Sequence, residues 1–175
     1  MPISSRGALA PVLGASAVTL AFLAPPVMAH VSIAPAHAPA NTYLRVALQV
    51  PHGCAGAATT AIEVTLPEGV TVARPMPKPG WSIAIALRPI ERPLPTEHGL
   101  VRQAPAAIAW SDGVLADAHY DEFVMQIRTP ARSGPLAFPV IQRCEGGAVH
   151  AWTELPTEAT PRPRSPAPTL TLGER

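Results

Sequence analysis

Histidines and cysteines supply most of the reactive chemistry in this chain, and two of each fall into a pattern. His30 directly follows Val27-Met28-Ala29, a small-x-small sequence of the kind that signal peptidases cut. Cleavage after Ala29 would make His30 the first residue of the mature protein. A terminal histidine carries a free α-amine beside its imidazole Nδ1, and the two close a chelate ring on one metal ion. Nitrogen donors in a tetragonal arrangement suit Cu(II) best among the first-row metals. His52 stands two residues before Cys54 in the loop Pro51-His52-Gly53-Cys54-Ala55-Gly56. Cys144 precedes a segment in which His150, Trp152 and Glu154 alternate onto one face. A bridge from Cys54 to Cys144 would brace the His52 loop against that segment. His30, His52 and the Trp152 face are therefore expected neighbours, while His37, His98 and His119 sit in loop-like contexts and are read as solvated.

Little else in the chain points to chemistry. There is no G-x-S-x-G, P-loop, H-E-x-x-H or C-x-x-C pattern. Asp121 and Glu122 are neighbours on a strand, so they face opposite ways and form no carboxylate pair. Only Met76 and Met125 follow the leader, too few for a methionine-rich Cu(I) site.

The elements that must position these residues read as β-structure. Arg6 and an apolar run from about Ala8 to Leu23 form the leader, residues 1–29, taken as a cleaved signal peptide. The run is shorter than the ~20 residues a membrane span needs, and no cysteine near the cut offers a lipid anchor. The mature product is expected to be soluble, periplasmic or secreted, with no membrane span. A formal net charge of +1 and no basic stripe argue against a nucleic-acid partner. Two cysteines in an exported chain favour a disulfide over the rival reading, a dithiol copper site.

With 23 prolines and no long helical periodicity, the mature chain breaks into short strands separated by turn residues. Strands are expected at 31–33, 42–50, 60–66, 70–72, 81–87, 108–110, 121–128, 136–142 and 149–155. In the second of these, Leu44, Val46, Leu48 and Val50 share one face. Residues 88–105 carry four prolines and form either an extended hairpin tip or a loose insertion. Eight or nine short strands predict an all-β, immunoglobulin-like antiparallel β-sandwich over residues 30–155. Residues 156–175, rich in Pro, Thr, Ser and Arg, are expected as a disordered tail.

Several of these features together resemble the YcnI-like exported copper-binding domain. They are Ala29-His30-Val31, Val50-Pro51, Thr59-Thr60, Pro67-Glu68-Gly69-Val70, Pro79-Gly80-Trp81, Trp110-Ser111, Phe123 and Trp152. The resemblance implies an immunoglobulin-like sandwich that binds one Cu(II) per chain through the amine and ring of the processed His30. It implies Trp152 close to the metal, and a role in copper trafficking, homeostasis or storage beside copper chaperones or a membrane copper importer. Members with a one-histidine site take a carboxylate from the loop after the second strand, whereas this loop offers His52. His52 is the favoured third donor here, with Glu154 or water as alternatives. Two alternative functions are an N-terminal-histidine copper oxidase or monooxygenase, and a structural β-sandwich module. A copper carrier that is not an enzyme is preferred, because three Trp and two Tyr are few for a flat, aromatic substrate face.

Overall fold

The computed structural model describes residues 30–96 and 99–173. The leader with its expected cleavage site, and His98, lie outside the described residues. Twelve strands follow in chain order: β1 (Ser32–Ala34), β2 (His37–Pro39), β3 (Tyr43–Val50), β4 (Thr59–Thr65), β5 (Ala73–Pro75), β6 (Ser82–Thr96), β7 (Gly99–Ser111), β8 (Asp121–Arg128), β9 (Gly134–Ala137), β10 (Val140–Cys144), β11 (Val149–Trp152) and β12 (Thr169–Gly173). Among the described residues the only helical turn is Glu145–Gly147.

The strands form a four-stranded sheet, β1-β3-β8-β5, a five-stranded sheet, β11-β10-β4-β7-β6, and a three-stranded sheet, β2-β12-β9. Alternation explains the core. Val46, Leu48 and Val50 of β3 meet Phe123, Met125 and Ile127 of β8 on one inner face; Ile62 and Val64 of β4, Ile108 and Trp110 of β7 and Val140 of β10 supply the other. All are fully buried, and such side chains contribute roughly 1.5–3 kcal/mol each on leaving water. Trp81 and Trp110 both set their rings edge-on to Phe123.

Four expectations change in detail. The strand expected at 70–72 starts later, at β5, because Val70 still belongs to the turn after Pro67, donating its N–H to the Pro67 carbonyl at 3.3 Å. Residues 88–105 are the extended hairpin, not a loose insertion. The β6–β7 register slips between Ala86 and Leu87 and between Pro89 and Leu94, in a stretch where prolines lack the N–H a ladder needs. The single strand expected at 136–142 divides at Phe138-Pro139, so that β9 and β10 enter different sheets. The expected tail does not end the fold at Leu155. β12 runs parallel to β2 and antiparallel to β9, with Leu170 and Leu172 in the core. Thr-Leu-Thr-Leu is a short alternating pattern that can bury one face once a neighbouring strand satisfies its backbone.

On the outer face of the four-stranded sheet a polar network holds the first strand. Ser32 Oγ donates to Gln49 Oε1 at 3.0 Å, and Gln49 Nε2 reaches Tyr120 at 3.0 Å and Glu122 at 3.2 Å. The Tyr120 hydroxyl donates to Glu122 at 2.6 Å, and Arg45 stands 3.4 Å from the same carboxylate. The bond from Tyr120, with help from Gln49, holds the Glu122 carboxyl below the usual range. The same bond, with burial, pushes the Tyr120 hydroxyl up. This network anchors the backbone two residues after His30.

Candidate metal-binding site

His30 sits two residues before the start of β1, next to the buried Val31. Its ring Nε2 lies 3.0 Å from the Arg164 carbonyl oxygen. A carbonyl only accepts, so Nε2 carries the proton and the lone pair falls on Nδ1, the nitrogen nearest the residue's own main-chain nitrogen. The ring stands edge-on to Trp152, with centroids 5.5 Å apart and planes at 89°.

His52 follows β3 in a loop closed by reciprocal bonds between Cys54 and Ala57, at 2.9 and 3.1 Å. The Gly56 N–H donates to Asp117 at 3.3 Å. Gly53 is dictated by space: a Cβ there would lie 1.9 Å from the Ala57 carbonyl oxygen. The disulfide Cys54–Cys144 ties this loop to the end of β10, as the sequence leads one to expect. The His52 ring places Nδ1 2.6 Å from the Gly53 carbonyl oxygen. Since a carbonyl only accepts, Nδ1 is the donor in that contact.

Trp152 is the hub of the site. It is buried at the end of β11, and its indole N–H donates to Gln142 Oε1 at 3.0 Å. The Gln142 amide nitrogen donates in turn to the His52 carbonyl and to Thr59 Oγ1, both at 2.8 Å. The link from Trp152 to the His52 loop thus runs through Gln142, a fully buried polar side chain. Sequence reasoning missed Gln142, although its place on the inward-facing side of β10 was a usable signal. It also left His150 without a role. That ring stands edge-on to Trp152 at 5.4 Å, and its Nδ1 is buried without a hydrogen-bond partner.

Glu154 lies past the end of β11 and is exposed. Its carboxylate accepts the Ser165 N–H at 2.7 Å. His37 and His119 are exposed as expected, though His37 opens β2 instead of lying in a loop, and Met76 and Met125 lie apart in burial, one exposed and one in the core. Among the described residues no group of three or more His, Cys, Asp and Glu is arranged to hold a metal ion. A metal bound at His30 and His52 would need further donors from the main chain or from water. The donor chemistry fits one that the main chain assists: two imidazoles, each with one nitrogen against a backbone carbonyl, the usual support of a metal-ligating histidine.

Residues 30–172 match the family described as "Domain of unknown function (DUF1775)". The chain belongs to this family. It is 23% identical over 137 residues to the copper-binding protein CutI of Bacillus subtilis (strain 168), a match spanning 77% of this chain and 60% of that relative's length. It also matches a crystal structure of an uncharacterized protein from Nocardia farcinica, described as revealing an immunoglobulin-like fold. That likeness has a TM-score of 0.62 and 31% identity, and covers 82% of this chain and 97% of the other. The fold is immunoglobulin-like, and the resemblance to the YcnI-like domain read from the sequence holds.

Proposed function

We propose that the mature protein is an exported copper carrier that holds one Cu(II) through the α-amine and Nδ1 of His30, with His52 Nε2 as a further donor. The observation that supports the reading is the pair of ring contacts to main-chain carbonyls. His30 bonds Arg164 through Nε2 and His52 bonds Gly53 through Nδ1. In the proposed site the opposite nitrogens, Nδ1 of His30 and Nε2 of His52, would be the donors. Similarity to CutI supports copper as the cargo. Trp152, edge-on to His30, would shield the ion from solvent on one side. Copper bound to such a set supplies a tightly held, nitrogen-rich centre; the chain's part is to orient the two rings and keep water off one face.

A carrier in the periplasm, passing copper to chaperones or a membrane importer, suits the structure better than a copper monooxygenase. Trp110 and Trp152 are buried and Trp81 packs against Phe123, so the tryptophans make no exposed platform for a polymeric substrate. Among the described residues no helix is long and apolar enough to cross a membrane. Titration of protein with a verified His30 terminus tests the proposal. One Cu(II) per chain, with several nitrogen couplings in the electron paramagnetic resonance spectrum, is expected. Oxygen-dominated coordination would remove His52 from the site, and no stoichiometric binding would overturn the reading.

A further inference from the structure

We propose that residues 154–167 form a strap whose task is to position His30, and that Glu154 is the positioning residue that closes it. The inference rests on the copper reading for its purpose, but the contacts stand on their own. Three hydrogen bonds converge on Glu154. Its carboxylate accepts the Ser165 N–H at 2.7 Å, its N–H donates to the Ser165 carbonyl at 3.0 Å, and its carbonyl accepts the Ala167 N–H at 2.9 Å. Between them, Thr157 and Thr160 bond each other reciprocally at 3.1 and 3.2 Å and reverse the chain. The strap is anchored on both sides, by Trp152 buried before it and by Leu170 and Leu172 buried after it. Arg164, next to the clamped Ser165, is thus presented on a fixed backbone, and its carbonyl meets His30 Nε2 at 3.0 Å.

The consequence is chemical. An imidazole released from this carbonyl can place its proton on either nitrogen and can turn about its side-chain bonds. Held by it, the ring keeps the proton on Nε2 and the lone pair on Nδ1. Glu154 therefore acts on the terminus through the strap rather than as a ligand. The prolines of the segment, Pro163 and Pro166 among them, stiffen it by fixing φ.

Nuclear magnetic resonance of the apo mature protein tests this without copper. In the wild type, His30 should show a resolved Nε2–H proton, with a pyrrole-type shift for Nε2 and a pyridine-type shift for Nδ1. In Glu154→Ala that proton should be lost to exchange, with the fold retained, because the position is on the surface. Glu154→Gln, which keeps an acceptor for the Ser165 N–H without the charge, should restore it. Loss of a partner of this kind lowers metal affinity by about 10–100-fold, and Cu(II) titration of Glu154→Ala should show that loss, with Glu154→Gln recovering it. A Glu154→Ala protein that keeps both the proton resonance and the affinity overturns the strap. A wild type that shows the resonance yet binds no copper supports the strap's hold on His30 and refutes the copper reading alone.

Discussion

Replacing Gln142 with leucine removes a side chain that joins Trp152 to the His52 loop while nearly keeping its volume. Three hydrogen bonds go at once: from Trp152 Nε1 at 3.0 Å, to the His52 carbonyl at 2.8 Å and to Thr59 Oγ1 at 2.8 Å. Their fates differ. Trp152 and Thr59 are buried, so the indole N–H loses its partner and Thr59 Oγ1 keeps only a long contact to Cys144 Sγ at 3.9 Å. The His52 carbonyl belongs to a half-buried loop residue and can turn to water. A buried donor or acceptor stranded in this way costs about 1–3 kcal/mol, so two of them predict a loss of roughly 2–6 kcal/mol. That is a large part of the 5–15 kcal/mol that typically holds a domain. Denaturant unfolding followed by circular dichroism measures it, and the loop should loosen before the core does. Trp152→Phe removes the other end of the first bond. The double variant Gln142→Leu, Trp152→Phe should therefore cost less than the sum of the singles, since no indole N–H remains to be stranded. A loss under about 1 kcal/mol in Gln142→Leu, or strict additivity in the double variant, would refute the bridge as the link between the two halves of the site.

Two further outcomes follow from the same structure. Reducing Cys54–Cys144, which closes a separation of 90 residues, should lower stability by roughly 4–5 kcal/mol by the chain-entropy argument; free thiols in native, air-exposed protein would contradict the assignment. The Tyr120–Glu122 network should make stability depend on pH at both ends. Glu122 titrates below its ordinary value because Tyr120 donates to its carboxylate, so its contribution is present above about pH 4.3 and is lost as pH falls through the lowered value. Tyr120 titrates above its ordinary value through the same bond, so its contribution is present below about pH 10 and is lost as pH rises through the raised value. Glu122→Gln should flatten the acid limb of stability against pH, and an unchanged limb would remove the network from the account.

Much of the sandwich is legible in alternation. Leu44, Val46, Leu48 and Val50 mark the inner face of β3, and Ile62, Val64 and Leu66 that of β4 and its exit, because a period of two leaves few other ways to bury them. The disulfide is legible from two cysteines in a chain whose first 29 residues read as an export leader. The β6–β7 hairpin is harder to read, since its prolines suppress strand propensity while a long partner strand supplies pairing at the positions between them. β12 is hidden for the opposite reason. Its five residues follow a proline-rich run, and only the gap between β2 and β9 gives Leu170 and Leu172 somewhere to go. At the site, His30, His52 and Trp152 can be picked out by residue type and by what precedes them. Gln142, Arg164 and Ser165 cannot be found that way with any ease, because two of the three act through backbone groups that every residue carries.

The central claim is that the mature amine of His30 is a metal donor, and one comparison tests it most directly. Two forms of the protein, one beginning at His30 and one retaining Ala29 before it, are titrated with Cu(II) under the same competing chelator. Retention of Ala29 turns the amine into an amide and takes it out of the chelate ring, while the core strands from β3 onward are untouched. The account predicts a fall in copper affinity of orders of magnitude with little change in the melting of the apo protein. Equal affinity in the two forms would contradict it, and would leave the rings of His30 and His52 without the donor on which the proposed site depends.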